Sequence, residues 1–372
     1  MKRALAVIAL VFMSSVAVAQ DTIRIGLHTP LSGSAAQMGV DQKRGIDMAI
    51  EEINKAGGIK GKKIELLFYD DEAKPDKSAN VAEKMISQGV VAVIGGPTSA
   101  NNLAVGPVTE NAKIPYIANG TLVKTTHQGW KYTFRAAVPD DYLTYCTADY
   151  LVNHAKYKRI AIIHEKDAYG AGYAEGVSEN LKKLGAEIVE VQSYSRGDRD
   201  FAGQLLKIRD AKPDVIIIGG LAAESAGIAR QVRRLFKEPV ALQGTDIWGQ
   251  PETVNLAGVD NAVGLVYNNT ISVLENTDPV WQTFRKAYMD KYKAEPTVQA
   301  TKGCLSVMLI AKGIRDADSV EPLKLRNALA AIKDWKTPLG TFTTDENGDG
   351  LKDVVMVKIE SEGKRAIVYR NF

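Results

Sequence analysis

The chain has 372 residues, with 47 lysines and arginines against 44 aspartates and glutamates, and a formal net charge of +3. This length is enough for two domains of ordinary size. The charges are mixed and no run of five like charges occurs, which argues against binding to nucleic acid or to a membrane surface. The composition favours a small-molecule partner.

The first 19 residues have the pattern of a secretory signal peptide. Lys2 and Arg3 give a positive start, an apolar stretch follows, and Ala17-Val18-Ala19 is a small-x-small cleavage signal. An uncleaved membrane anchor is the alternative, but the stretch is short of the roughly 20 residues that span a bilayer, and Ser14-Ser15 interrupt it. We predict cleavage after Ala19, export to the periplasm and, since no cysteine follows the cleavage site, no lipid anchor.

Strands and helices then alternate, which indicates parallel sheets flanked by helices. In the first cycle, continuously apolar strands are predicted at Ile23–Leu27, Ile64–Tyr69, Val90–Ile94 and Pro115–Ala118. Helical periodicity is found between them at Met38–Lys55, Lys77–Ser87 and Asn101–Asn111. An extended segment, Tyr132–Val138, ends at Pro139 and closes the cycle.

A second cycle follows, with strands predicted at Ile160–His164, Ala186–Ser193, Val215–Ile218 and Val240–Leu242. Its helices are predicted at Asp141–Asn153, Gly172–Leu184, Phe201–Arg209 and Glu224–Phe236. The remaining segments are an extended piece, three helices and antiparallel strands: Val263–Asn268, Val280–Lys293, Gln299–Arg315, Pro322–Ile332, Thr341–Thr343, Val354–Ile359 and Ala366–Tyr369. Two cycles with these connections predict two lobes that the chain crosses three times, an arrangement that favours hinge bending.

Cys146 and Cys304 are the only cysteines of the chain. Export would permit a disulfide, but each cysteine lies in a predicted amphipathic helix, in a different predicted lobe. We expect two buried, unpaired thiols. No histidine is near either one in sequence, which gives little support to a metal site or a nucleophile. We predict neither a metal nor a cofactor.

Several polar loops follow the predicted strands, where open parallel sheets bind their ligands. Ser99 stands at a helix start after the strand that ends at Ile94, so it can bind a carboxylate or simply cap the helix. Asn119 and Thr121 follow the next strand and offer backbone groups and a hydroxyl. A plain turn explains those two residues equally well.

The second cycle has similar loops. Tyr169 follows the strand that ends at His164, and Leu221 follows the strand that ends at Ile218. Asp246 and Trp248 follow the Val240 strand, and Asp246 could hold an ammonium group. Each residue alone fits an ordinary loop. Their joint position at strand ends in both cycles favours a single binding site between the lobes.

Over nearly its whole length after the leader, the chain resembles the periplasmic leucine/isoleucine/valine-binding proteins, which are receptors of ATP-driven (ABC) importers. The matching segments are Pro30-Leu31-Ser32-Gly33, Ile53-Asn54 with Gly57-Gly58-Ile59, Asp70-Asp71, Asp167 to Gly170, Asp200-Phe201 and Gly340 to Gly350. The resemblance implies an α/β periplasmic binding protein of type I, with two Rossmann-like lobes joined by a three-segment hinge. Residues 20–137 and 268–339 would form the N-terminal lobe, and residues 138–267 and 340–372 the C-terminal lobe.

The resemblance also implies a monomeric, non-enzymatic receptor that captures an amino acid, of aliphatic or branched-chain type, and passes it to a membrane permease. Its implied ligand contacts are Ser99, Thr121 and main chain near Asn119 for the α-carboxylate, and Tyr169 and Asp246 for the α-ammonium. For the ligand side chain they are Met38 and Leu221, with Trp248 as an additional wall.

Three departures from the family pattern concern the ligand and the fold. Asp246 stands where the nearest relatives carry glutamate, and Met38 and Leu221 stand where they carry an aromatic residue. These two changes leave the side-chain preference open. The cysteines of the relatives' loop disulfide have no counterpart, since Glu72-Ala73 and Thr98 occupy those regions.

Two other readings of the sequence remain. A receptor of the same fold for amides, urea or aromatic carboxylates is one, although an aromatic acid would bring no ammonium group to Asp246. A secreted α/β enzyme that uses Asp246 or Ser99 is the other, but the local sequence offers no base beside either residue. The segment Asp345–Gly350 resembles the start of an EF-hand, but Met356 occupies the twelfth position, so we predict a β-turn.

Overall fold

The structure, a computed structural model, describes residues 22–270, 278–337 and 340–371. The predicted signal peptide, residues 1–19, lies outside the described residues. Within the described ranges, no helix combines the length and the apolar character needed to cross a membrane.

The first lobe begins with a regular alternation of strands and helices. In chain order these are β1 (Ile23–Thr29), α1 (Ala36–Lys55), β2 (Ile64–Asp70), α2 (Pro75–Ser87), β3 (Ala92–Ile94), α3 (Ser99–Ala112), β4 (Tyr116–Ala118) and β5 (Thr133–Arg135). The five strands form a sheet of order β2-β1-β3-β4-β5 in which every pair is parallel. The short apolar strands β3 and β4 are fully buried, as expected for a sheet with helices on both faces.

The second lobe repeats the pattern. Its elements are α4 (Asp140–Asp149), β6 (Arg159–Glu165), α5 (Ala168–Lys183), β7 (Glu187–Tyr194), α6 (Ala202–Asp210), β8 (Val215–Gly219), α7 (Ala222–Leu235), β9 (Ala241–Gly244), α8 (Pro251–Ala257), α9 (Val259–Ala262) and β10 (Val266–Thr270). A π-helical turn, Tyr150–His154, continues α4. The sequence analysis did not predict α8 and α9, which are only 7 and 4 residues long.

The described remainder of the chain contains three helices and four strands. They are α10 (Pro279–Tyr292), α11 (Val298–Ala317), α12 (Pro322–Ala330), β11 (Trp335–Thr337), β12 (Gly340–Phe342), β13 (Val354–Ile359) and β14 (Arg365–Asn371). The second sheet has the order β14-β13-β10-β9-β8-β6-β7, parallel from β10 to β7 and antiparallel at β13 and β14. Strands β11 and β12 form a separate antiparallel pair.

Strand pairing places two of the lobe boundaries later in the chain than predicted. The boundary predicted at 267/268 falls inside β10, whose residues Asn268, Asn269 and Thr270 pair with β13 in the second sheet. These polar residues look like the end of a strand in the sequence, but all three are buried. The chain therefore leaves the second sheet after Thr270.

The boundary predicted at 339/340 also lies too early. Strand β12 pairs with β11, and Phe342 packs in the hydrophobic cluster that holds the core of β1, α1 and α11 and extends to α4 and β13. The crossing to the second sheet therefore follows the turn at 345–350.

A buried ion pair fixes that turn to the first lobe. Arg135 Nε lies 2.6 Å from Asp349 Oδ1, and both side chains are buried. Thr126 and His127 also bond to the Asp349 carboxylate, at 3.0 Å each. We call these four residues the hinge clamp. The predicted β-turn is confirmed, because the Gly348 N–H donates to the Asp345 carbonyl at 3.2 Å.

The two lobes lie against each other. Ala35 and Met38, at the start of α1, pack in the hydrophobic cluster of the second lobe. Leu122 of the first lobe approaches α5 of the second so closely that a Cβ at position 172 would be 2.2 Å from Leu122 Cδ1. Glycine at position 172 therefore permits this closed arrangement. The two cysteines are buried and form no disulfide in the described structure.

Candidate ligand-binding cleft

A cavity lies between the lobes, at the carboxyl ends of the strands of both sheets. About 420 Å³ of space between its walls is free of protein atoms, a volume that includes open solvent. The first lobe contributes Met38, Pro97, Thr98, Ser99, Thr121, Gln299 and Lys302. The second lobe contributes Asp167, Tyr169, Arg196, Leu221, Asp246 and Ile247. We call this cavity the cleft.

Six of the eight residues predicted to contact ligand line the cleft. They are Met38, Ser99, Thr121, Tyr169, Leu221 and Asp246. They come from both lobes and from strand-end loops or helix starts, so the folding of the two cycles brings together residues that are far apart in sequence. The other two predicted residues, Asn119 and Trp248, lie outside the lining.

Asn119 is buried behind the cleft and makes structural hydrogen bonds. Its side-chain amide donates to the Gly95 carbonyl at 3.0 Å and to Ser306 Oγ at 3.1 Å. Its backbone N–H donates to Asn102 Oδ1 at 2.9 Å, and that of Gly120 does so at 3.0 Å. The main chain near Asn119 that was predicted to bind the ligand therefore already has intramolecular partners.

Trp248 is fully buried in the core cluster of the second lobe. It belongs to a short 3-10 helix, Asp246–Gly249, in which Asp246 turns toward the cleft and the indole turns toward the core. The two side chains of this one turn point to different sides. Trp248 therefore does not line the cleft, although it is only two residues from Asp246. Ile247, which was not predicted, lines the cleft instead.

The first-lobe end of the cleft is built around the start of α3. Thr98 is the N-cap residue without a side-chain cap bond, and its buried hydroxyl has no partner among the described residues. Ser99 Oγ accepts the Leu122 N–H at 3.3 Å and keeps its own proton for another acceptor. A Cβ at Gly120 would lie 2.8 Å from Ser99 Oγ, so glycine there lets the loop approach. Free N–H groups and hydroxyls at a helix start suit an anion.

The second-lobe end contains a phenol and a carboxylate. Tyr169 lies in the first turn of α5, which Asp167 caps by accepting the Gly170 N–H at 2.8 Å. Burial, with the nearby negative charges of Asp246 and Asp140, raises the pKa of Tyr169 well above its usual value, so its hydroxyl stays protonated. Asp246 follows β9, and its side chain is 18% exposed. A phenol proton and a carboxylate suit a ligand with both donor and acceptor atoms.

Lys302 is a buried cation in the cleft that the sequence analysis missed. It lies on α11, and its Nζ is 3.3 Å from Asp246 Oδ2 on the other lobe. Its side chain is only 3% exposed. The signal in the sequence is a single lysine within a largely apolar helical stretch, Val298–Ala311.

The other charges of the lining are also paired. Arg196 Nη2 lies 2.8 Å from Asp167 Oδ2, and Arg196 Nε lies 2.6 Å from Glu165 Oε1. Each acid of the lining therefore already has a basic partner. Gln299 adds a buried side-chain oxygen that has no partner within the described part of the chain. No group of three or more His, Cys, Asp or Glu side chains in the described ranges could hold a metal ion.

Two lobes around parallel sheets, with a polar cleft between them at the strand ends, define a two-lobed solute receptor of the periplasmic binding protein type I fold. A family model described as periplasmic binding protein matches residues 22–364. The chain belongs to this family, whose members act outside the cytoplasm.

Known proteins support the same assignment. A leucine-, isoleucine-, valine-, threonine- and alanine-binding protein of Pseudomonas aeruginosa is 30% identical, over 94% of this chain and 92% of its own length. A Leu/Ile/Val-binding protein homologue of Brucella melitensis is 31% identical, over 88% of each chain. The predicted resemblance to leucine/isoleucine/valine-binding proteins is therefore confirmed.

Solved structures agree with the fold. A branched-chain amino acid transporter substrate-binding protein of Streptococcus pneumoniae, solved with isoleucine, superposes with a TM-score of 0.85 and 26% identity, covering 94% of this chain and all of the other. A leucine-binding protein of Thermotoga maritima gives a TM-score of 0.87 and 25% identity, with 94% and 98% coverage. The predicted type I fold is confirmed.

Proposed function

We propose that this chain is an extracytoplasmic receptor that captures an amino acid, of aliphatic or branched-chain type, and delivers it to the membrane permease of an ABC importer. The observation that carries the proposal is the pairing of opposite chemistries across one cleft. Hydroxyls at the start of α3 lie on the first lobe, and Tyr169 with Asp246 lie on the second. The relatives named as leucine-, isoleucine- and valine-binding proteins support the ligand class.

The two ends of an amino acid have different needs. A zwitterion loses its hydration on entering the cleft, and this loss must be offset at both the carboxylate and the ammonium. In the proposed complex, the α3 start with Ser99 and Thr121 binds the α-carboxylate. Tyr169 and Asp246 bind the α-ammonium. Met38 and Leu221 contact the side chain.

Because each lobe supplies one end of the site, only the closed form satisfies both ends of the ligand. The ligand then shifts the equilibrium between open and closed lobes by its difference in affinity for the two forms. The closed form is the signal that the permease recognises. In this proposal the receptor acts as a monomer in the periplasm, after removal of residues 1–19, and catalyses no reaction.

A ligand panel tests the proposal. The protein is unfolded, washed free of carried-over ligand and refolded, and thermal shifts are measured with leucine, isoleucine, valine, alanine, phenylalanine, glutamate, urea, short amides and benzoate. A ligand at about 1,000 times its Kd stabilises by about 4 kcal/mol. That corresponds to about 8–16 °C for domains of this size. Shifts with aliphatic amino acids support the proposal, and silence with every amino acid contradicts it.

A second candidate function has one observation in its favour. Asp246 already has a cationic partner in Lys302, so its charge does not require a ligand ammonium. A carboxylic acid or an amide without an amino group could therefore occupy the cleft. A shift with benzoate or an amide, together with silence from the amino acids, would select this candidate.

A further inference from the structure

Asn102 is a fully buried residue at the end of the first turn of α3. Its side-chain oxygen accepts the backbone N–H groups of Asn119 and Gly120, at 2.9 and 3.0 Å. Its side-chain nitrogen donates to the carbonyls of Gly96 and Thr98, both at 2.9 Å. A carboxamide has two protons to donate and two lone pairs that accept, so the hydrogen-bonding capacity of this one is fully used.

The four bonds connect two loops of the first lobe. One loop, residues 95–98, follows β3 and leads into the start of α3 at Ser99. The other loop, residues 119–121, follows β4. Thr98, Ser99 and Thr121 line the cleft, whereas Asn102 is not part of the lining. Asn102 therefore acts on the cleft through the backbone of these two loops.

The pairing of the two strands ends before the loops reach the cleft. The last paired residues of β3 and β4 are Ile94 and Ile117, and one further bond joins the Gly95 N–H to the Ile117 carbonyl at 2.9 Å. Beyond that point side chains connect the loops. The Asn119 amide donates once, to the Gly95 carbonyl at 3.0 Å, and the Asn102 carboxamide makes the four bonds given above. The separation of the loops therefore depends mainly on Asn102.

Close packing of glycines supports this role. A Cβ at Gly95 would lie 3.1 Å from Asn102 Oδ1, and a Cβ at Gly120 would lie 2.8 Å from Ser99 Oγ. Glycine at both positions lets the two loops contact the carboxamide and the start of α3. The carboxamide then determines how far apart the loops lie.

We propose that Asn102 is the positioning residue of the carboxylate end of the cleft. It sets the distance between the start of α3 and Thr121, so that the hydroxyls of Ser99 and Thr121 reach the same ligand carboxylate. Asn102 does not contact the ligand. Groups that are held in place before binding cost less entropy to order, so the carboxamide increases affinity by preorganisation. This inference rests on the part of the proposed function that puts the α-carboxylate at the start of α3.

The test is calorimetric titration with leucine. Asn102→Ala removes all four bonds and should weaken leucine binding by at least about tenfold, since one hydrogen bond is worth about 2- to 10-fold. Asn54→Ala is the matched control on the same lobe. The Asn54 carboxamide also bonds to backbone, to the N–H and carbonyl of Ile64 at 2.8 and 2.9 Å, but Ile64 begins β2, at the strand end away from the cleft. This control should change the affinity by less than about twofold.

A double-mutant cycle separates positioning from a general loosening of the lobe. Ser99→Ala should weaken leucine binding clearly in the wild type and much less in Asn102→Ala, because Ser99 then no longer reaches the carboxylate. Leu221→Ala, on the other lobe, should cost the same factor in both backgrounds. Residues that act together show such coupling, and independent sites do not. Equal costs of Ser99→Ala in the two backgrounds would overturn the positioning role.

The wild type provides a test that remains if Asn102→Ala fails to fold. All four bonds lie within one lobe and do not depend on closure. The amides of Asn119 and Gly120 should therefore exchange with solvent at least about a hundredfold more slowly than in an unstructured chain, with and without leucine. Exchange in the ligand-free protein at the rate of an unstructured chain would overturn the preorganisation.

Failure of this inference and failure of the proposed function give different results. Leucine binding that Asn102→Ala does not weaken overturns the inference and leaves the proposed function intact. Thermal shifts with benzoate alone contradict the amino-acid ligand but keep a carboxylate. In that case, benzoate affinity that falls in Asn102→Ala supports the inference, and unchanged affinity overturns it. Shifts with urea or a short amide alone overturn both.

Discussion

Asp349 and Asp140 are both buried carboxylates near Arg135, yet their surroundings differ. Burial alone would raise the pKa of Asp349, but the charge of Arg135 and bonds from His127, Arg135 and Thr126 outweigh it and hold this pKa below its usual range. Asp140 has no such set of bonds, and its pKa rises to about 7. The Asp349 carboxylate, which has several hydrogen-bond partners, joins the turn at 345–350 to the first lobe. The buried carboxylate of Asp140 belongs to a residue that adjoins the cleft, because its backbone N–H donates to the carbonyl of the lining residue Thr121 at 2.8 Å.

The largest expected effect is on the free energy of unfolding when Asp349 is changed. Asp349→Asn leaves the Arg135 guanidinium buried without its counter-ion, and removing one partner of a buried ion pair costs about 3–5 kcal/mol. Urea unfolding of ligand-free protein measures the loss. Glu346→Gln, on the exposed side of the same turn, is the control and should change little. A loss below about 1 kcal/mol for Asp349→Asn would mean that the hinge clamp contributes little to stability.

The next effect is on binding. Asp246→Ala should abolish amino-acid binding while the fold remains intact, because it removes the proposed ammonium partner and leaves Lys302 unpaired. Loss of one member of a buried charged pair costs about 2–5 kcal/mol of binding free energy. Calorimetry with leucine measures the loss, and thermal unfolding without ligand checks the fold. Retained affinity would contradict the assignment of Asp246 to the ammonium.

Asp140→Asn should stabilise the ligand-free protein. The folded form holds a proton that the unfolded chain loses at its ordinary pKa, so wild-type stability falls as the pH rises from about 4 to 7 and is level above that. The gain in the variant should be up to about 4 kcal/mol at pH 8, since the pKa rises from 3.8 to about 7 and one pKa unit is worth about 1.4 kcal/mol. Urea unfolding at several pH values measures this gain, which should vanish below about pH 4. A pH-independent difference would argue against the raised pKa.

The smallest expected effect concerns lobe closure. Gly172→Ala places a methyl group against Leu122 and should weaken leucine binding by about 1 kcal/mol, because it opposes the closed arrangement. Leu122→Ala should restore the affinity in the double variant, with a coupling energy of about 0.5–3 kcal/mol for contacting residues. Additive effects in the titrations would mean that the two side chains do not meet in the bound form.

Sequence reasoning located the strands and helices well where each element had its own apolar pattern, as in β13, predicted and observed at Val354–Ile359. It failed where polar residues are buried, because their polarity predicts exposure. Asn268 to Thr270 look like a strand end because they are polar, yet they are paired and buried in β10. Short helices such as α9 depend on packing more than on periodicity.

The candidate site was predictable as far as it depends on topology. Strand-end loops converge in any parallel sheet, which brought Ser99, Tyr169 and Asp246 to one cleft. Lys302 was not found, because its position depends on how α11 is rotated and on how the lobes close. Trp248 was misplaced for a similar reason, since the direction of a side chain within one turn is decided by the core.

The hinge clamp also determines where the molecule can bend. Residues 345–350 move with the first lobe, although they precede a strand of the second sheet. In the described first and third crossings, we therefore expect the opening torsions at residues 136–139 and at residues 351–353, between the turn and β13. Short pivots of this kind favour a hinge rotation of the lobes over free tumbling. A membrane partner then meets two defined orientations of the receptor surface instead of a continuous range.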